Sequence, residues 1–223
     1  MTDTPPPAAA QAGPNIGQMM RNIGGSLVVS ALLPYLAYRF LEPHFPKDSV
    51  YPLLYSTIFP ALGFAWGVFR KRSVDAIALI VMAEIIASVI ATLLSANVGW
   101  ALIARASQGT ITGLVFAFTA VIGKPIVYYF ARQFVAGTSP ERTAGFDMAH
   151  VLDKGLTFKI ATYVWAVALI LISFVSITMA ATLEHATYVL VAPILSVGVN
   201  IALVWWTIRF SSTRLLRYRP AAA

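Results

Sequence analysis

Residues Ala76 to Ala96 form an apolar run, AIALIVMAEIIASVIATLLSA, with one ionisable residue, Glu84, near its middle. A helix rises ~1.5 Å per residue, so about 20 such residues cross the ~30 Å hydrocarbon core of a bilayer. A carboxylate at that depth is costly unless it is paired, protonated or hydrated. The run therefore places the chain in a membrane, and Glu84 is the first residue that needs a partner.

Composition agrees. The 223 residues are 58% hydrophobic and 11% charged, where a soluble domain carries about 25% charged residues. The length leaves room for about six spans in one bundle. The net charge of +7 points to anionic lipid headgroups rather than nucleic acid, because the basic residues sit at span ends. Cysteine is absent, which excludes disulfides and thiolate metal sites.

Residues 1–22 are rich in Pro and Ala, lack apolar periodicity and read as a disordered cytoplasmic tail. The expected spans are 23–40, 50–69, 76–96, 107–132, 160–181 and 188–208, followed by a basic cytoplasmic tail, 211–223. Pro34, Pro60 and Pro193 lie inside spans, where prolines bend helices. Residues 97–106 read as a loop. The fourth span either stops at Gly123 or continues past Pro125 with a kink. The segment 133–159 contains Ser139-Pro140-Glu141, a helix start with an N-cap, a first-turn proline and an acid at the positive end of the dipole. It reads as a short surface helix, with Phe146, Val151 and Leu152 at headgroup level.

Charge sets the expected orientation. With the N-terminus in the cytoplasm and six crossings, 13 of the 16 Lys and Arg fall inside, and Arg39, Lys47 and Arg105 fall outside. The positive-inside rule selects that topology. The expected fold is an all-α six-helix transmembrane bundle in the bacterial inner membrane, both ends cytoplasmic, with a surface helix between spans 4 and 5.

Spans 3 and 4 carry the main candidate constellation. Glu84, Ser88, Ala91 and Ser95 share one helical face, and Gly109, Gly113, Ala117, Ala120 and Lys124 share another. Gly109 to Gly113 is a GxxxG pattern, which lets backbones approach closely. Glu84 lies roughly 13 Å from the cytoplasmic end of span 3, and Lys124 roughly 12 Å in if span 4 runs to Arg132. This matched depth predicts a Glu84–Lys124 ion pair inside the bundle. If span 4 stops at Gly123, Lys124 instead reaches the headgroups, and Glu84 is protonated or bonded to Ser88.

Other polar groups carry less. Glu42, His44, Asp48, Glu184 and His185 share the outer side, where loop residues of this kind are ordinarily solvated, so no metal is expected. Asp147, His150 and Asp153 mark one side of the surface helix, read as a solvated face. Asn200 is expected to bond another helix. No P-loop, GxSxG, HExxH or dinucleotide fingerprint is present, so neither an enzyme nor a cofactor is expected.

Leu33-Pro34-Tyr35 through Arg39, Leu41-Glu42-Pro43, Arg70-Lys71-Arg72 followed by an acid, and Gly123-Lys124-Pro125 with Tyr128-Tyr129 and Arg132-Gln133-Phe134 form a recognisable series. Over residues 25–210 it resembles small, uncharacterised bacterial membrane proteins distantly similar to the intracellular septation protein A family. The resemblance implies an inner-membrane protein acting in cell-envelope synthesis or septation through partners, and it carries over no catalytic residue. The Pro-rich N-terminus and the longer 133–159 segment depart from that family's pattern.

Two functions are therefore expected to compete. One is a non-enzymatic structural or modulatory component that contacts membrane proteins or a second copy of itself. The other is a small proton-coupled transporter or exchanger centred on Glu84 and Lys124.

Overall fold

The computed structural model describes residues 28–71, 76–136 and 140–215. Several expectations lie outside them: the tail 1–22, the start of span 1, the acidic turn after Lys71, the Ser139 cap and the last basic residues. Every regular element among the described residues is helical. A wide π-type turn, Val28–Leu32, leads into α1 (Leu33–Leu41). Then follow α2 (Tyr51–Ser56), α3 (Ile58–Lys71), α4 (Ala76–Leu94), α5 (Val98–Val121), α6 (Ile126–Ala136), α7 (Pro140–Leu152), α8 (Leu156–Thr182) and α9 (His185–Leu215).

Four stretches are long and apolar enough to cross a membrane: Tyr51–Phe69, Val98–Val121, Leu156–Thr182 and His185–Leu215. Large apolar side chains face outward along the bundle. Phe69 is 79% exposed and Leu94 82%, a surface that suits lipid and not water. The chain is thus a multi-pass, all-helical membrane protein. At 31 residues α9 is roughly 46 Å long, more than a bilayer core, so its Arg209 and Arg214 end projects beyond the hydrocarbon.

Local chemistry explains the boundaries. The Asn97 side chain accepts a hydrogen bond from the Trp100 N–H at 3.0 Å and caps α5. Residues expected in a loop, 98–106, are therefore the first turns of a helix. At the other end α5 stops at Val121. Gly123 takes φ +77°, a conformation that costs a side-chain-bearing residue about 1 kcal/mol or more. The Lys124 N–H closes back on the Thr119 carbonyl at 2.9 Å, and Pro125 offers no N–H. Of the two courses open to the fourth span, the structure takes the stop at Gly123: two helices with a left-handed turn between them stand where a kinked 107–132 span was the other. The break at Thr57, between α2 and α3, precedes Pro60, which has no N–H for the Ser56 carbonyl.

The closest helix pair is α5 against α8, which run antiparallel. A Cβ on Gly113 would lie 2.7 Å from Ile170 Cγ1 and 2.8 Å from the Ala166 carbonyl oxygen. Gly109 faces Ser173 and the Leu169 carbonyl. The small-residue stripe expected to serve the α4–α5 hairpin thus seats α8. Hydroxyls add to the seam: Thr110 donates to Ser173 at 2.8 Å, and Ser173 donates to the Ala106 carbonyl at 2.7 Å.

Two apolar clusters close the ends of the bundle. One gathers Tyr38, Leu53, Val98, Leu102, Ala180 and Val189. The other gathers Phe116, Val127, Phe158, Ala161 and Ala166, with Ala117 packed against it. Between them lies the polar region described next.

Candidate functional site

A cavity of about 340 Å³ lies in the bundle, walled mainly by α4, α5, α8 and α9. Each wall brings polar groups: Glu84 from α4; Arg105, Gln108 and Thr112 from α5; Ser173 and Ser176 from α8; Tyr188, Ser196 and Asn200 from α9. Helical spacing explains the α5 wall. Arg105, Gln108, Thr112 and Phe116 recur at steps of three and four residues and share one face.

Glu84 is exposed toward this cavity, and its Oε1 accepts the Thr112 hydroxyl at 3.0 Å. Its Oε2 has no partner among the described residues. Neither expected partner engages it. Lys124 is exposed in the turn after α5, twelve residues and roughly 18 Å along the chain axis from Thr112. Ser88 Oγ is buried without a hydrogen bond to a described residue. The structure does not bring Glu84 and Lys124 together, because Glu84 meets α5 at the level of Thr112, twelve residues short of the lysine.

Arg105, expected in an outer loop, instead stands inside the bundle on α5. It forms no ion pair or hydrogen bond with any described residue. The cap at Asn97 is the sequence signal that could have placed it: starting the helix there puts Arg105 in the third turn. Asn200, expected to tie two helices, donates Nδ2 to the Ser196 carbonyl of its own helix at 2.8 Å.

A second polar cluster lies where α6 and α7 meet the start of α8. The eleven-residue α6 is roughly 16 Å long, too short to cross. Arg132 grips Asp147 with Nε at 2.9 Å from Oδ1 and Nη2 at 2.9 Å from Oδ2, and the Tyr128 hydroxyl donates to Oδ1 at 2.7 Å. These bonds, those of Arg132 foremost, hold the Asp147 carboxyl below its usual range. The His150 ring stacks on Tyr128, centroids 3.9 Å apart, and burial pushes its pKa down. Its Nδ1 is buried with no partner among the described residues. Asp153, 3% exposed, accepts the Thr157 N–H at 2.6 Å and caps the start of α8. The side expected to be a solvated face, Asp147, His150 and Asp153, is thus turned inward, since residues spaced by three share a face and this one meets aromatic rings.

At the opposite end Arg39 bridges Glu184 at 3.0 Å and Glu42 at 3.4 Å. No three His, Cys, Asp or Glu among the described residues gather closely enough to hold a metal.

No family model, curated protein or solved structure matches the chain.

Proposed function

We propose that the chain is a six-span protein of the bacterial inner membrane, both ends cytoplasmic, that binds and passes a small polar solute through the cavity between α4, α5, α8 and α9. One observation carries the reading: a cavity of about 340 Å³ with charges of both signs lies between two apolar clusters of a membrane bundle. Ionisable groups at membrane depth are costly and mark solute or ion pathways, and the volume lies at the small end of ligand sites.

Two further crossings accompany the four long helices. With 19 residues, α4 extends roughly 28 Å, and α1 continues a run that begins before residue 28. With Arg105 inside the bundle, the loops divide the remaining cations thirteen to two in favour of the side bearing both ends. That basic rim suits anionic headgroups.

The cysteine-free chain makes the test direct. Ser176→Cys, on the cavity wall, is expected to react with a charged, membrane-impermeant thiol reagent. Leu171→Cys, on the exposed apolar side of the same helix, is expected to stay unreacted. Reaction of the Ser176→Cys thiol from either side of a sealed vesicle supports passage; no reaction from either side sinks the reading.

A second reading, an envelope scaffold acting through partners, draws on α7, where Met148, Val151 and Leu152 are exposed. It expects Val151→Glu to abolish co-purification of membrane partners while leaving thiol labelling of the Ser176→Cys chain unchanged.

A further inference from the structure

The cavity holds one guanidinium and one carboxylate, and they do not neutralise each other. Thr112 holds the Glu84 carboxylate at a level seven residues along α5 from Arg105, roughly 10 Å by helical rise. Arg105 therefore keeps five N–H donors with no acceptor among the described residues, inside an apolar bundle. Gln108 stands between the two charges on α5, Ser176 lines the cavity at about the level of Arg105, and neither makes a hydrogen bond with a described residue.

Resting on the solute-binding reading above, we propose that Arg105 recognises an anionic group, a carboxylate or phosphate, at one end of the solute. Glu84 Oε2 receives a hydroxyl or ammonium donor at the other end. A guanidinium matches either oxyanion through two parallel N–H bonds. A neutral solute would leave the guanidinium unpaired, and a purely cationic one would be repelled by it. The ligand class is thus a small anion that also carries a hydrogen-bond donor, with Gln108 facing its middle and Ser176 its anionic end. The same oxyanion chemistry occurs in free metabolites and in lipid headgroups.

The test uses the full-length chain bearing Ser176→Cys in phosphatidylcholine nanodiscs. The probes are sodium glutamate and sn-glycerol 3-phosphate, with choline chloride and glycerol as cationic and neutral controls at equal ionic strength. At ten times its dissociation constant, either anion is expected to slow labelling of the introduced thiol about tenfold by mass action, and the controls to leave it unchanged. Adding Arg105→Gln is expected to remove the protection, and Glu84→Gln to weaken it. If Arg105→Gln does not fold, the order of protection in the chain that keeps Arg105 decides alone.

Protection in phosphatidylglycerol nanodiscs without added anion, and none by the soluble anions, keeps the oxyanion and assigns it to a lipid headgroup. Labelling that no anion and no anionic lipid slows overturns this inference while leaving the wet cavity standing. Protection that survives Arg105→Gln likewise overturns the role of Arg105. Absence of labelling in every condition instead defeats the solute-binding reading itself.

Discussion

Thr112 on α5 donates its hydroxyl to the Glu84 carboxylate on α4 at 3.0 Å. That bond ties the carboxylate to the wall of the polar cavity rather than to a cation. Interhelical hydrogen bonds in membranes average ~0.6 kcal/mol and reach about 1.7. Thr112→Val, which keeps the shape and removes the donor, is expected to lose about 1 kcal/mol in denaturant titration of the detergent-solubilised chain. Thr112→Ser is expected to stay near the parent, and equal losses for both would show that the methyl group, not the hydroxyl, matters.

The α5–α8 seam gives a sharper expectation. Gly113→Ala places a Cβ within 3 Å of Ile170 and the Ala166 carbonyl, so the helices must separate, at a cost of ~1–3 kcal/mol. Gly67 has no described atom within 4 Å of its hypothetical Cβ. Gly67→Ala is therefore the control, expected to be neutral or slightly stabilising. Thermal unfolding of the two variants decides the matter, and equal midpoints would refute the tight seam.

Acid should release α7 from α6. The Asp147 carboxyl is held down by Arg132 and Tyr128, so its stabilisation is present above the ordinary carboxylate value of 3.8 and lost as pH falls through and below it. The pair is partly exposed, 44% and 33%, so solvent screening keeps its contribution small. Amide-exchange protection of α7, taken relative to the intrinsic rate at each pH, is expected to fall below about pH 4, and Asp147→Asn to show the lowered protection already at neutral pH. An acid-insensitive parent would contradict the pairing.

His150 acts in a milder window. Burial lowers its pKa from the ordinary 6.5, against the pull of Asp153 and Asp147. The folded state therefore prefers the neutral ring. Its contribution is complete above pH 6.5 and is lost as pH falls from there through the lowered folded value. His150→Phe retains the stack on Tyr128 and cannot be protonated. Between about pH 7.5 and 5.5 the parent is expected to lose stability, and the variant to hold its own constant. Parallel curves would rule the histidine out.

Much of the architecture was legible because apolar runs report membrane depth directly. The run around Glu84 is α4, and the helix begun by Pro140 follows from its turn chemistry. Helix phase and stopping points were harder to read. Gly123 and Pro125 fit both a kink and a stop, and only the left-handed backbone at Gly123 chooses between them. Trp100, Arg105 and Gln108 lower local hydropathy, so the first turns of α5 resemble a loop until the Asn97 cap fixes their start. Glu84 was legible as a residue needing a partner, but choosing Thr112 over Ser88 or Lys124 requires the rotation of α4 against α5. The inward turn of His150 depends likewise on Tyr128, a residue on a different helix.

At Gly109 and Gly113 the two helices α5 and α8 come too close to admit another side chain, and the Thr110–Ser173 and Ser173–Ala106 hydrogen bonds fasten the same seam, so the pair behaves as a single rigid spine. On the proposed solute pathway, opening then belongs to the flanks, α4 and α9, swinging against a stationary α5–α8 beam. That proposal expects transport to survive cross-linking of the two beam helices and to stop when a flank is stapled to the beam.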